Sequence, residues 1–466
     1  MPPRRHVRSL PVLLLAAATG ATGCGDDGGA LADAAGGGVD AAIDARPAGA
    51  VDVTATALTL DLTTRTGTAI ITLAERVDAL DLDVGDLTIL GVSGGLGDVP
   101  FTTAGGGLHV ELPASESMIT VNYTFAAHSM FDGWDPGAGV TFLWPEFCGN
   151  LFPCRTDPAD GSTFTMNVSG GGAGTLVYPT SIPAQAPAYM PAIALGNFVT
   201  LELGTTTAGT TVRAYHLPRQ AAAAASGTAQ LRQVVDFFEQ TYGPYTFGDA
   251  VASVSASWGP GAYGGMEHHP YWHVAADAFD VAEIHAHEAA HGWFGNGVRI
   301  ACWEDFVLSE GLATYLAARS LAEFGVDLWP EYDCALATIC GEGGGTVALP
   351  STCGAIDILT DPLWSGVPYQ KGAQYLREVA AVMGEAQLDA VIAAFYQAHV
   401  GQAAEMEQLI AAIKAAAGAG ASAQLDAIEQ TWLRTLACPA TAPVCPSALT
   451  GDSAARTRRR LRAPHF

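Results

Sequence analysis

The 466-residue chain has little positive charge, with 21 Lys and Arg against 47 Asp and Glu and only two lysines, Lys371 and Lys414. Eight of the basic residues are confined to its ends: Arg4, Arg5 and Arg8 at the start, and Arg456, Arg458, Arg459, Arg460 and Arg462 at the finish. An acidic body of this kind repels phosphate backbones, so nucleic acid is not an expected partner. After the first 24 residues no uninterrupted apolar run reaches about 18 residues, which excludes a transmembrane helix as an expectation. There is no CxxC pair to mark a cysteine-rich zinc site, and no internal repeat. At 49% hydrophobic and 15% charged residues, the chain is too apolar for a disordered polymer and too long for one small core. Two or three folded domains are expected.

The first residues address compartment. Arg4, Arg5 and Arg8 precede an apolar stretch from Leu10 to Ala18, and small residues then lead to Cys24. This pattern is that of a secretory signal over residues 1–23. The small-residue run ending in Cys resembles a bacterial lipoprotein box, although Ala21 stands where Leu is commonest; ordinary cleavage followed by a stray cysteine is the alternative. Export with lipidation at Cys24 is the expectation, giving a membrane attachment by lipid alone on the bacterial cell envelope. Residues 24–50, largely GDDGGALADAAGGGVDAAIDARPAG, hold few large apolar groups and are expected to be a flexible acidic tether.

Cys24 apart, eight cysteines remain: Cys148, Cys154, Cys302, Cys334, Cys340, Cys353, Cys438 and Cys445. An even set in an exported chain points to disulfides, and about 105 pairings are open. Local closure favours Cys148 with Cys154 and Cys438 with Cys445.

Short alternating runs, among them Thr56–Leu62, Leu108–Leu112 and Ile119–Tyr123, place an antiparallel β-domain over residues 51–205. Near Arg219 the texture becomes helical, with Leu231, Val234, Val235 and Phe238 on one face. A second domain is assigned to 206–325, a helical subdomain to 326–440 and a basic tail to 441–466.

The informative stretch is residues 281–296, VAEIHAHEAAHGWFGN. Four residues apart on a helix, His287 and His291 project from one face and can bind the same ion at about 2.0–2.1 Å. Glu288 is rotated by about 100° from His287 and points instead toward a water on the metal, where a general base belongs. Glu310 follows His291 after 18 intervening residues and supplies a third ligand; two His and a Glu leave one position open, as hydrolytic zinc chemistry requires. The cofactor expected is one Zn²⁺.

His287-Glu288-x-x-His291 with Glu310, together with Gly292-Trp293-Phe294-Gly295-Asn296 and Ser309-Glu310-Gly311-Leu312-Ala313, resembles the gluzincin zinc peptidases of the aminopeptidase N family. Gly264-Gly265-Met266-Glu267-His268 is similar to that family's Gly-x-Met-Glu-Asn motif, and Tyr369-Gln370-Lys371-Gly372-Ala373 to its catalytic-tyrosine segment. Residues 152–159, FPCRTDPA, and Trp432-Leu433-Arg434 resemble further landmarks, so the likeness runs in order from about residue 50 to 440. It implies a multidomain α+β fold: an antiparallel β-domain, a thermolysin-like catalytic domain and a short helical subdomain. It implies zinc on His287, His291 and Glu310, Glu288 as base and proton donor, and Tyr369 as hydrogen-bond donor to the oxyanion. Gly264, Gly265, Met266 and Glu267 would bind substrate, Glu267 by pairing with a free α-ammonium and the two glycines by letting main chains approach.

The activity implied is removal of N-terminal residues from peptides. An endopeptidase or other hydrolase on the same scaffold, or a non-catalytic peptide-binding surface lipoprotein, are the rival readings. Two residues depart from the family, His268 and Ser309, each where Asn is usual; the second reads as tuning of the metal's surroundings. His285 lies on the opposite helix face from His287 and is expected to be packed or hydrogen-bonded. His268, His269 and His273 read as pocket or surface residues, while Lys371 divides evenly between a structural role and substrate contact. Only 26 residues follow Ala440, too few for a further domain with its own core, so a site more open than in larger members is expected.

Overall fold

The structure of the protein is a computed structural model that describes residues 51–258, 264–354 and 356–446. The signal, Cys24 and the tether lie outside the described residues, as does the tail from 447 on.

The alternating segments become long strands: β1 (Val53–Asp61), β2 (Thr66–Asp83), β3 (Thr88–Gly94), β4 (Gly97–Asp98), β5 (Phe101–Ala104) and β6 (Gly107–Thr124). After two short strands, β7 (Trp134–Asp135) and β8 (Val140–Thr141), come β9 (Ser162–Ser169), β10 (Thr175–Val177), β11 (Ser181–Ala186) and β12 (Ala194–Gly196). Among the described residues an eight-stranded sheet runs β11-β9-β1-β2-β6-β3-β4, with β5 added on β6, and β10-β12-β8-β7 form a smaller sheet. The two-residue period sorts side chains between faces. Leu58, Leu60 and Leu62 of the first run, and Leu108, Val110, Leu112, Ile119, Val121 and Tyr123 of β6, are all buried, while the residues between them are less covered.

The second domain starts earlier than expected. Strand β13 (Val199–Thr205) pairs antiparallel with β14 (Thr211–His216), which continues parallel into β15 (Ala250–Ala256). Residues 199–205 therefore belong to the catalytic sheet and not, as the 51–205 assignment had it, to the β-domain. Between them lie α1 (Ala221–Gly227) and α2 (Leu231–Thr241), whose Leu231, Val234, Val235 and Phe238 are buried together as the spacing requires. The sheet is completed by β16 (Gly265–Met266) and β17 (Tyr271–Ala275) in the order β13-β14-β15-β17-β16, leaving β16 at the edge.

Helix α3 (Ala282–Ala290) follows, then β18 (Arg299–Ile300) and α4 (Phe306–Ala322). Both helices are buried nearly all round, which fits their central place. The helical part comprises α5 (Trp329–Glu342), α6 (Gly366–Met383), α7 (Glu385–His399), the strand β19 (Ala403–Ala404) that pairs with β18, α8 (Met406–Ala417) and α9 (Ser422–Trp432). No single helix among the described residues is long and apolar enough to cross a membrane.

Cross-links join distant segments. Cys148–Cys154 pairs as expected, with Cα atoms 6.1 Å apart. The Cys438/Cys445 pairing does not form; Cys340 bonds Cys438 and Cys334 bonds Cys445. After α9 the chain passes along α5, which presents Cys334 and Cys340 less than two turns apart, so proximity in space overrides proximity in sequence. Cys302–Cys353 completes the set. Arg299 ties the parts together: its Nε donates to the Ala159 carbonyl (3.0 Å) and its Nη1 to those of Gln185 and Gly401 (3.1 Å each). A Cβ at Gly161 would lie 2.4 Å from the guanidinium carbon, so that glycine makes room for it. The FPCRTDPA segment thus delivers the Ala159 carbonyl to the pin. Trp432-Leu433-Arg434 acts similarly, since Arg434 Nη1 donates to the carbonyls of Leu349 (3.0 Å) and Pro350 (2.8 Å).

Candidate metal centre and active site

Helix α3 carries His287 and His291 on one face, and α4 brings in Glu310. The Nε2 atoms of the two histidines are 3.2 Å apart, and Glu310 Oε2 lies 3.1 Å from His287 Nε2 and 3.4 Å from His291 Nε2. Three ligands of a tetrahedral ion at about 2.0–2.1 Å stand roughly 3.3 Å from one another, which is the triangle formed here. The surroundings fix the ring of His291. Its Nδ1 faces the Phe294 carbonyl (3.0 Å) and Ser309 Oγ (3.3 Å). A carbonyl only accepts, so Nδ1 carries the proton and Nε2 turns its lone pair to the centre. Gly295, at φ +102°, closes around this ring: a Cβ there would be 2.4 Å from Ser309 Oγ and 2.7 Å from His291 Nδ1. Ser309, the departure from the family pattern, is therefore a partner of a centre histidine.

Glu267 and Glu288 complete the site. Their carboxylates and a nitrogen of His291 lie within 4.8 Å of one another. Glu288 is buried, and its Oε2 has no hydrogen-bond partner. Strand β16 passes directly over it; a Cβ at Gly265 would be 2.3 Å from Glu288 Oε1. The close approach that Gly265 permits is thus to the carboxylate beneath it. Gly264 gives its carbonyl to the Ala275 N–H (2.9 Å), and Met266 is buried. Asn296 Nδ2 holds the Glu267 carbonyl at 2.7 Å, while the Tyr189 hydroxyl bonds the Glu267 carboxylate.

Burial pushes the Glu267 carboxyl up to about 7, with His291 opposing and Glu310 adding to the rise. It pushes Glu288 well above the usual carboxylate range against the pull of His291, and Glu267 and Glu310 push the same way. Burial would lower His291, but Glu310 and Glu267 raise it, so its Nε2 favours positive charge, either a proton or a metal ion. Burial works to raise Glu310, and its two histidines hold it low. Three carboxylates in one buried pocket call for cations.

Tyr369 is half-buried on α6. Its ring stacks on His287 (centroids 5.8 Å, planes 14° apart) and meets Phe306 edge-on at 5.9 Å. Ser365 caps α6, its Oγ accepting from the Val367 N–H at 3.4 Å.

The structure brings His287, Glu288, His291, Glu310, Glu267 and Tyr369 together and leaves other histidines outside. His285 Nδ1 bonds Ser253 Oγ (2.8 Å) and its Nε2 the Phe279 carbonyl (3.0 Å). His268, His269 and His273 are all buried, so none is a surface residue. Lys371 donates to the carbonyls of Thr435 (2.8 Å) and Leu436 (2.7 Å), which makes its role structural. Cys302, Cys353 and Glu304 also cluster, but both sulfurs are spent in their disulfide. Tyr189 escaped sequence reasoning: it lies in the β-domain between β11 and β12, where no period marks it.

A buried His-His-Glu triangle on two packed helices beside a mixed sheet is a donor set able to hold one metal ion. Residues 266–432 match the Peptidase family M1 domain. The chain is 34% identical over 115 residues to a protein described as probable aminopeptidase 1 of Saccharolobus solfataricus, covering 23% of this chain and 14% of that protein. It is 24% identical over 294 residues to leucine aminopeptidase 2 of Emericella nidulans, covering 54% and 44%. The chain thus spans less than half the length of these relatives. Among solved structures, an M1 zinc metallopeptidase from Deinococcus radiodurans is similar in fold with a TM-score of 0.68 at 18% identity, over 85% of this chain and 96% of that one. Yeast LTA4 hydrolase is similar with a TM-score of 0.69 at 18% identity, over 86% and 70%.

Proposed function

We propose that the protein is a zinc-dependent aminopeptidase that removes N-terminal residues from peptides. One observation carries the reading: a metal-sized triangle of His287, His291 and Glu310 stands beside two more carboxylates, Glu267 and Glu288, within reach of His291. A zinc ion held there supplies Lewis acidity, bringing the pKa of water from about 15.7 to about 7.

The chain's own groups do the rest. Glu267 pairs with the substrate's α-ammonium and fixes which peptide bond reaches the centre. Glu288, through its unpartnered Oε2, takes a proton from the attacking water and returns it to the leaving amine. Tyr369, alongside His287, donates its phenolic hydrogen to the oxygen on which charge develops. Edge strand β16 offers its main chain to that of the peptide.

We also propose that the protein is exported and lipid-anchored through Cys24 at the bacterial cell envelope. The four disulfides among the described residues support export.

The test is Glu288→Gln beside wild type, with zinc content and turnover of aminoacyl-coumarin amides measured on both. The account expects equal zinc and a loss of turnover of about a hundredfold or more in the variant. Zinc binding without turnover in wild type would make the protein a binder instead.

A further inference from the structure

The helix that carries the centre must end abruptly, because His291 is followed at once by a turn. The Gly292 N–H bonds the Ala289 carbonyl (3.1 Å), so it is not given to Glu288 as helical continuation would require. The main-chain carbonyl of Glu288 instead receives the imidazole of His269, whose Nε2 lies 2.7 Å away. On the other side of the ring, Nδ1 lies 2.8 Å from the Tyr245 hydroxyl.

These contacts admit one proton arrangement. The carbonyl of Glu288 can only accept, so Nε2 carries the hydrogen, Nδ1 is the acceptor and the Tyr245 hydroxyl donates to it. The chain runs Tyr245 to His269 to Glu288 in a single direction. Its ring is boxed by aromatic neighbours, Trp272 at 4.9 Å, Tyr245 at 5.7 Å and Phe247 at 6.3 Å between centroids. Burial holds the imidazole down to about 3, so it stays neutral over the working range. Gly292 makes the arrangement possible, for a Cβ there would stand 2.8 Å from the Tyr245 ring and 3.0 Å from that of His269.

We infer that His269, set in place by Tyr245, is a positioning residue for the reaction: it caps the end of α3 at Glu288 and so fixes how far that side chain reaches toward the centre. The inference rests on the proposed role of Glu288 as base. Without the cap, the last turn of α3 would fray or take up water, and the carboxylate would lose its aim while His287, His291 and Glu310 kept their ion. Such partners at a metal site cost about 10–100-fold in activity when lost.

Three variants of the full chain separate the possibilities. Gln keeps an N–H donor near the position of Nε2, so His269→Gln should retain most of the wild-type kcat. His269→Leu should lower kcat by about 10–100-fold with KM changed less than threefold and zinc content unchanged. Tyr245→Phe should fall between the two. Selective ¹⁵N labelling of histidine in the wild type should show His269 neutral with hydrogen on Nε2 at pH 6. Folded, zinc-loaded His269→Leu with wild-type kcat, or His269→Gln as damaged as His269→Leu, would overturn the inference. Failure of the function reading would look different, since wild type and Glu288→Gln would then turn over alike.

Discussion

Gly311 and Gly372 face each other where α4 crosses α6, so closely that a Cβ on Gly372 would lie 2.7 Å from the Gly311 Cα, and one on Gly311 would lie 3.0 Å from the Gly372 Cα. Each glycine stands close to a residue of the site: Gly311 follows Glu310, and Gly372 lies about one turn beyond Tyr369. The crossing is what lets α6 lay the Tyr369 ring against His287.

Gly311→Ala and Gly372→Ala should each force the two helices apart. Overpacking of this kind costs about 1–3 kcal/mol, read as a fall in thermal midpoint. Activity should drop further than stability, because Tyr369 moves relative to His287. Either variant with wild-type kcat would show that the crossing does not set the position of the tyrosine.

Tyr189→Phe removes the hydroxyl that bonds the Glu267 carboxylate. A hydrogen bond to a charged group contributes about 1.5–3 kcal/mol. Since Glu267 is assigned to the substrate ammonium, the loss should raise KM for peptides with a free N-terminus by roughly tenfold or more and change kcat less. A change in kcat alone would contradict that assignment.

Arg299→Ala leaves the carbonyl of buried Ala159, and those of half-buried Gln185 and Gly401, without the guanidinium donor. Each buried acceptor left without a donor costs about 1–3 kcal/mol, so thermal unfolding should fall by several degrees. Zinc content at low temperature should hold, because none of these groups touches the centre. An unchanged midpoint would remove Arg299 as the pin between segments.

Asp305 lies at the start of α4, its Oδ1 accepting from the Met406 N–H at 2.9 Å. Burial pushes its carboxyl up to about 7 against the pull of that N–H, with Glu405 and Glu304 adding to the rise. The folded protein therefore keeps a proton that the unfolded chain gives up near pH 4. The stability this group contributes is complete below about pH 4 and is lost as pH rises toward 7. Asp305→Asn keeps an acceptor for Met406 without the charge, and should raise the thermal midpoint at pH 8 relative to wild type but not at pH 4. An equal shift at both values would exclude the ionisation as its cause.

Much of this was legible in the sequence, for physical reasons that also explain what was not. His287, Glu288 and His291 follow from helical geometry alone, and the buried leucines of β1 and valines of β6 from the two-residue period. Strand β13 shows the same period, but alternation does not say which sheet a strand joins, and it pairs with β14. The pairing of Cys438 with Cys340 depends on where α9 delivers the chain, which no local pattern encodes. Tyr189 sits in a loop whose only signal would have been its place beside Glu267.

The central claim is a metal-dependent attack confined to the first peptide bond. Its most direct test is the initial rate on a peptide and on its N-acetylated twin, for protein stripped by a chelator and then reloaded with zinc. The account predicts hydrolysis only after reloading and only of the free peptide. Cleavage of both peptides at similar rates, or full activity in the stripped protein, would contradict it.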